Sequence, residues 1–358
     1  MKKMKNFMKM QTLLLMLVIS SAMILGSCKD DKDDIIEGDK TELNTLIAQA
    51  ETLANAATPA DYPQAAINNF KAVLQTVKTA ATEKLTQVQI NNLVTQLTEA
   101  KNLFVSQAYG FIDESLYLTA GWKFDEGTGT TATAFSNTAH VATFKRGNTV
   151  ILGNAAMMPS WVNGVKGGKA VSLDMGAHLE VPYTTSFLPA NITISVWIKP
   201  TSLYEHNYIV SQNYWNGYKL QTQGGGKPFF TYKKVDGGIV DADNETDNSI
   251  RVNQWNHVVV SVNAATKELK FYVDGTLTKT WTESDKGIGP LTQTLTSPDP
   301  QPFIIGCVAT DAELAANFMD WTNADNLGYF KGAIDELKIY NIALSDGQVA
   351  KLFNDEKP

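Results

Sequence analysis

Cysteine is scarce: two residues in 358, at positions 28 and 307. No disulfide framework can be built from them once Cys28 is otherwise engaged, and Cys307 in the apolar run FIIGCVA reads as a buried, inert thiol. Histidine is also rare. His140, His178, His206 and His257 show no metal-ligand spacing, and His257 lies in a strand-like stretch where a structural role is the ordinary one. Positive charge is short, with a formal net charge of −7, so the basic footprint of a nucleic-acid partner is missing. An apolar run of the ~20 residues that span a bilayer is missing too. LLLMLVISSAMIL, residues 13–25, stops short of it. Phosphate loops, nucleophile elbows and zincin motifs are likewise absent.

What is present begins with a leader. MKKMKNFMKM carries four lysines and no acid ahead of the apolar run, the pattern of a secretory signal over residues 1–27. The run ends in LGSC, residues 25–28, which matches a bacterial lipobox with Cys28 as the lipidated first residue of the mature chain. Removing the four lysines takes the formal net charge from −7 to −11. The mature start, CKDDKDD, opens an acidic tether over residues 28–38 and resembles the surface-export signal of Bacteroidetes lipoproteins. The expectation is an outer-membrane lipoprotein, surface-exposed, that touches the membrane only through its lipid anchor.

Residues 39–108 carry three apolar stripes at helical spacing. They are Leu43, Leu46, Ile47, Ala50 and Leu53; Ile67, Phe70, Leu74 and Val77; and Ile90, Leu93, Val94, Leu97, Ala100 and Phe104. Asp39 with Glu42, and Thr86 with Gln89, have capping-box spacing. Each helix has one apolar face, so a small three-helix bundle follows. Residues 47–107, on YPQAAINNFKAVLQTVKTA and TQVQINNLVTQLTEAKNLF, resemble the FIVAR-type helical repeat. That likeness implies a spacer or a weak binding module.

From residue 117 to 357 the period changes to two. NITISVWIKP alternates Ile192, Ile194, Val196 and Ile198 with Thr193, Ser195, Trp197 and Lys199, and KELKFYVDG closes on the turn pair Asp274–Gly275. Many short strands with almost no helix predict a mainly β, two-sheet sandwich or jelly roll. The ordered set WKFDEGTG, GKAVSLD, LEVP, ITISVWIKP, WNHVVVSV, LKFYVDG, FIIG and KGAIDELKIYNIALS resembles the LamG-like branch of the concanavalin A-like lectin/glucanase superfamily. The resemblance implies a jelly roll with neighbouring first and last strands and ligands on the concave sheet or its rim loops.

Catalysis by a carboxylate pair finds no support in the motifs. Glucanase relatives alternate their acids as E-x-D-x-E along one strand; this chain has no such triplet. Asp125 with Glu126, and Asp335 with Glu336, are adjacent and point to opposite faces of a strand. Strict alternation places Asp335 with Leu337 and Ile339 on the inward face and Glu336 with Lys338 on the solvated one. Ser345 and Gln348 predict a capping box that starts a terminal helix. DADNETD, residues 241–247, begins like a calcium loop. However, Thr246 stands where glycine is needed and Val252 where the bidentate glutamate belongs, so a solvated loop is expected.

The resemblance does imply a structural Ca²⁺, with Asp125 and Asp335 as the matching acids. Where relatives carry a further Asp-Ser-Gly, this chain reads AFSN; the other reading is Asp335 bound to turn amides. No other cofactor is indicated. For sugar stacking, two polar-aromatic loops stand out: Tyr204, Tyr208, Tyr214, Trp215 and Asn216, and Asp320, Trp321, Asn323 and Tyr329, with Trp161 before an Asn-Gly turn. The expectation is non-catalytic binding of a glycan or glycoprotein. Two readings compete with it: a glycoside hydrolase or polysaccharide lyase on the same fold, and a protein-binding adhesin.

Overall fold

The computed structural model describes residues 36–59, 61–296, 299–317 and 328–358. Cys28 and the leader lie outside them, as do Asp320, Trp321 and Asn323. Two compact units divide the chain. One takes in the described residues up to Ala56 with Asn68–Lys101, the other Ala57–Ile67 with Asn102–Pro358. No helix among the described residues is long and apolar enough to cross a membrane.

Three long helices form the N-terminal helical region: α1 (Thr41–Ala56), α2 (Gln64–Ala81) and α3 (Gln87–Ser106). Their apolar stripes supply the buried residues of the first unit: Leu43, Leu46 and Ala50 of α1, Phe70, Leu74 and Val77 of α2, Ile90 and Leu97 of α3. The Thr86–Gln89 capping box forms, with the Thr86 N–H donating to Gln89 Oε1 at 2.9 Å and the Gln89 N–H to Thr86 Oγ1 at 3.4 Å. At the start of α1, Asp39 Oδ1 accepts the Thr41 N–H at 2.8 Å.

The second unit is a sandwich of two antiparallel sheets, the mainly β jelly roll the strand pattern predicts. The first sheet runs β14 (Thr276–Thr282), β13 (Glu268–Val273), β12 (Asn256–Asn263), β7 (Ile192–Pro200), β16 (Gly332–Tyr340), β5 (Lys169–Leu173) and β4 (Ser160–Asn163); β1 (Leu118–Trp122) also pairs with β16. The second runs β11 (Ile239–Asp243), β10 (Lys227–Lys233), β9 (Tyr218–Gln223), β8 (Asn207–Gln212), β15 (Phe303–Ile305), β6 (His178–Val181), β3 (Val141–Lys145) and β2 (Thr131–Thr133). First and last strands are therefore neighbours.

Period-two alternation builds the core between the sheets. Val196, Ile194 and Ile192 of β7 stand opposite Val258, Val260 and Val262 of β12, and all six are fully buried. Each such side chain contributes roughly 1.5–3 kcal/mol. Phe303 stacks on Phe187 with ring centroids 4.9 Å apart, and Trp122 on Phe303 at 6.1 Å. The β13–β14 hairpin turns through Asp274 (φ 49°) and Gly275 (φ 73°), both left-handed as this tight turn requires.

The first sheet also buries its other face, beneath α4 (Asp346–Glu356). Val259, Tyr272 and Tyr340 of the sheet pack with Leu344, Val349 and Leu352 there. The predicted cap starts this helix: Ser345 donates its N–H to Gln348 Oε1 at 2.8 Å and accepts the Gln348 N–H on Oγ at 3.3 Å.

Here strict alternation fails in β16. The register shifts between Asp335 and Lys338, and Glu336 takes a left-handed φ of 44°. A bulge inserts one residue and reverses the inside-outside assignment on one side of it. Ile334, Leu337 and Ile339 join the inter-sheet core, whereas Asp335 and Lys338 are buried outside it. Glu336 is only half-buried and accepts a hydrogen bond from Lys338 at 2.7 Å.

Candidate functional site: a groove over strands 8 to 11

Alternation on β9, β10 and β11 sends Tyr218, Leu220, Phe230, Tyr232, Val240 and Ala242 into the inter-sheet core. Their neighbours face the other way and line a groove of about 370 Å³. Antiparallel register aligns these into two rows. Tyr208, Gln221 and Phe229 form one; Lys219, Thr231 and Asp241 form the other. Glu205 and His206, just before β8, and Trp215, on a short turn after it, complete the walls.

Lys219 is the unusual member of this floor. It is only 6% exposed. Its Nζ lies 5.2 Å from the centre of the Tyr208 ring and 4.9 Å from that of Phe229, and donates to Gln221 Oε1 at 2.6 Å. Two aromatic faces hold a desolvated cation through their quadrupoles. Burial nevertheless disfavours the charged form and lowers the ammonium pKa to about 8, against the raising effect of Asp241 and Glu205. Asp241 Oδ1 accepts the Thr231 hydroxyl at 2.6 Å. The His206 ring stacks on Tyr208 at 6.1 Å, and burial lowers its pKa. The groove thus offers rings, planar amides, a hydroxyl, one cation and two carboxylates.

Of the residues the sequence singled out for sugar stacking, Tyr208 and Trp215 line this groove. Tyr214 is buried, its hydroxyl donating to Glu313 Oε1 at 2.7 Å beside Cys307 and Leu314. Asn216 is half-buried on the same turn, its N–H donating to the Asn213 carbonyl at 2.9 Å. Tyr204 donates its hydroxyl to the Tyr329 carbonyl, and Tyr329 itself is 1% exposed. Lys219, Gln221, Phe229, Thr231 and Asp241 escaped the sequence reading. The signal was there, in the outward positions of KLQTQ and KPFFTYK. Asp241 also corrects the reading of DADNETD as a loop, since Ile239–Asp243 is a strand and puts that carboxylate on the groove wall.

A smaller recess of about 270 Å³ lies at β3 and β6, lined by Lys145, Arg146, Gly147, Thr149, His178, Glu180 and Asp311. Glu180 lies 3.3 Å from the Lys145 ammonium and 3.5 Å from His178 Nε2.

The candidate calcium acids serve a loop instead. Asp335 Oδ2 accepts the Val165 N–H at 2.8 Å and Oδ1 the Glu336 N–H at 2.9 Å; Asp125 Oδ1 accepts the Lys169 N–H at 2.8 Å. Glycines admit these carboxylates. A Cβ on Gly164 would meet Asp335 Oδ2 at 2.7 Å, and one on Gly168 would meet Asp125 Oδ1 at 2.0 Å. Among the described residues no group of three or more His, Cys, Asp or Glu is placed to hold a metal ion. Calcium takes roughly six to eight oxygens, backbone carbonyls and waters among them; here both carboxylates are engaged by loop amides. Burial raises the Asp335 pKa to about 7 despite its two amides, with help from the charges of Glu336 and Asp125.

Residues 173–350 match a laminin G-type family model described as the concanavalin A-like lectin/glucanases superfamily. No curated protein matches the chain. Among solved structures, the binding domain of Paraclostridial Mosquitocidal Protein 1 is similar at 17% identity and a TM-score of 0.45, over 67% of this chain and 52% of that one. Domain 4 of AbnA, an extracellular arabinanase of Geobacillus stearothermophilus solved with arabinotriose, gives 21% identity and a TM-score of 0.45, over 66% of this chain and 97% of that domain. The binding domain of botulinum neurotoxin DC, solved with SialylT, gives 14% and 0.46, over 69% and 52%. The chain thus spans about half the length of the first and third.

Proposed function

We propose that the jelly roll binds a glycan, free or on a glycoprotein, without cleaving it, in the groove over β8 to β11. The observation that carries this reading is the convergence of Trp215 and Phe229 with Gln221, Gln223, Thr231 and Asp241 on one open surface. Aromatic rings cover the C–H faces of a sugar, while amides and carboxylates match its hydroxyls. A shallow, open groove leaves much of a bound sugar in water, so single-site affinity is expected to be weak. The wider setting, a lipoprotein anchored through Cys28 and exposed on an outer membrane, belongs to the same proposal and rests on the leader sequence.

The test is a glycan array followed by calorimetry on the full chain and its Trp215→Ala variant. A ligand held by wild type and lost by the variant supports the assignment; equal binding by both sinks the groove. Incubation with polysaccharides separates the enzymatic alternative, since new reducing ends or unsaturated products overturn the non-catalytic reading. A flat protein contact, the adhesin alternative, predicts binding that survives removal of the partner's glycans.

A further inference from the structure

We propose that the groove selects an acidic sugar, whose carboxylate sits on the Lys219 ammonium and the neighbouring Gln221 amide. This rests on the glycan-binding reading and names its ligand class. Among the described residues two lysines are almost fully buried in the sandwich, and they differ in one respect. Lys338, 5% exposed, donates to the carboxylates of Glu336 and Glu356. Lys219, 6% exposed, donates to an amide oxygen and otherwise faces two rings. The titratable groups facing it are Glu205 and His206 ahead of β8 and Asp241 on β11. Neither carboxylate is within ion-pairing distance of it among the described residues, and Asp241 is engaged with Thr231.

A buried charge without a counter-ion is costly unless something completes it. Because Lys219 lines an open groove, the completing anion can come from outside. Gln221 turns its Oε1 to the ammonium, which leaves its Nε2 as a donor beside it. Ammonium and amide together match the two oxygens of one carboxylate through charge-assisted hydrogen bonds. Glu205 and Asp241 on the walls accept sugar hydroxyls and, by repulsion, restrict the ligand to a single negative charge. That combination describes a uronic or sialic acid residue, and a sulfate monoester is the other singly charged source.

The experiment is calorimetry on the full chain with oligosaccharides containing uronic or sialic acid, each paired with its carboxyl-reduced form, plus a sulfated neutral oligosaccharide. The carboxylate form is expected to bind about tenfold tighter than the reduced form, a charge-assisted bond's worth. Lys219→Gln should abolish that difference and Lys219→Arg retain part of it, with circular dichroism confirming that both variants fold. Equal binding of acid and reduced forms, lost in Trp215→Ala, overturns the acidic-sugar inference and leaves glycan binding standing. Preference for the sulfated probe overturns the carboxylate assignment. If no sugar of either kind binds, the glycan reading falls with it.

Discussion

Ser195 Oγ lies 2.8 Å from His257 Nε2 across β7 and β12, and both residues are fully buried. The pair has the spacing of a nucleophile and its base, yet the Trp197 ring stacks on the imidazole 5.1 Å away and both side chains are closed off from solvent. Its consequence is for stability. Burial, with the Lys338 charge, pushes the His257 pKa from 6.5 to about 3. The unfolded chain therefore takes up a proton in that window that the native protein refuses. Stability is present above pH 6.5 and is lost as pH falls through it, by about 1.4 kcal/mol per pH unit. Urea unfolding of wild type and His257→Gln between about pH 4 and about pH 7 checks this: the wild-type curve should be the steeper. Parallel curves would refute it.

Asp335 predicts a slope of opposite sign. Its pKa is raised from 3.8 to about 7, so the native protein keeps a proton that the unfolded chain loses. Stability from this group falls as pH rises across that window and is level above it. Asp335→Asn should flatten the decline between about pH 5 and about pH 8, although it replaces one acceptor oxygen with a donor. The same samples with chelator or calcium test the amide-bound loop. A midpoint that moves with calcium would overturn that assignment.

Lys338 and Glu356, 5% and 8% exposed, form an ion pair beneath α4, where Glu356 also accepts the Trp197 indole N–H at 2.8 Å. Removing one partner leaves a buried charge uncompensated. Lys338→Met is expected to cost about 3–5 kcal/mol, and Lys338→Met with Glu356→Leu to recover most of it. Denaturant unfolding of both variants measures the recovery. A double mutant no better than the single one would place the cost in packing.

Gly168 and Gly153 both have positive φ, 59° and 57°, in different surroundings. A Cβ at Gly168 meets Asp125 at 2.0 Å, and one at Gly153 meets nothing within 4 Å. Alanine at Gly153, whose ψ of −136° lies outside the left-handed helical region, should cost about 1–3 kcal/mol for the backbone alone, and at Gly168 the contact with Asp125 should add to the positive-φ cost. Thermal midpoints of the two variants decide it, and equal shifts would show that the loop yields to Asp125.

The framework was legible in the chain because it depends on local periodicity. Ile192, Ile194, Val196 and Ile198 announce a strand with one core face, and Asp274–Gly275 announces its hairpin turn. Ser345 and Gln348 announce the last helix. Asp335 marks where this stops. Counting by twos put it beside Leu337, and a single left-handed residue, Glu336, put it on the other face. Nothing local distinguishes that glutamate from its neighbours; the bulge falls where the second neighbour of β16 changes from β5 to β1.

The groove follows the same division. Trp215 was visible as an aromatic residue in a polar loop, and Tyr214 beside it looked equivalent until packing turned it towards Glu313. Lys219, Gln221, Phe229 and Asp241 are unremarkable in sequence, because they are far apart along the chain. By itself the sequence determined the strands, the faces of regular ones, the last helix cap and the scarcity of cysteine and histidine. Only the tertiary structure decided which outward residues share a surface. Strand register sets distances between residues separated by a hairpin, and burial then sets what a lysine or a carboxylate placed there can do.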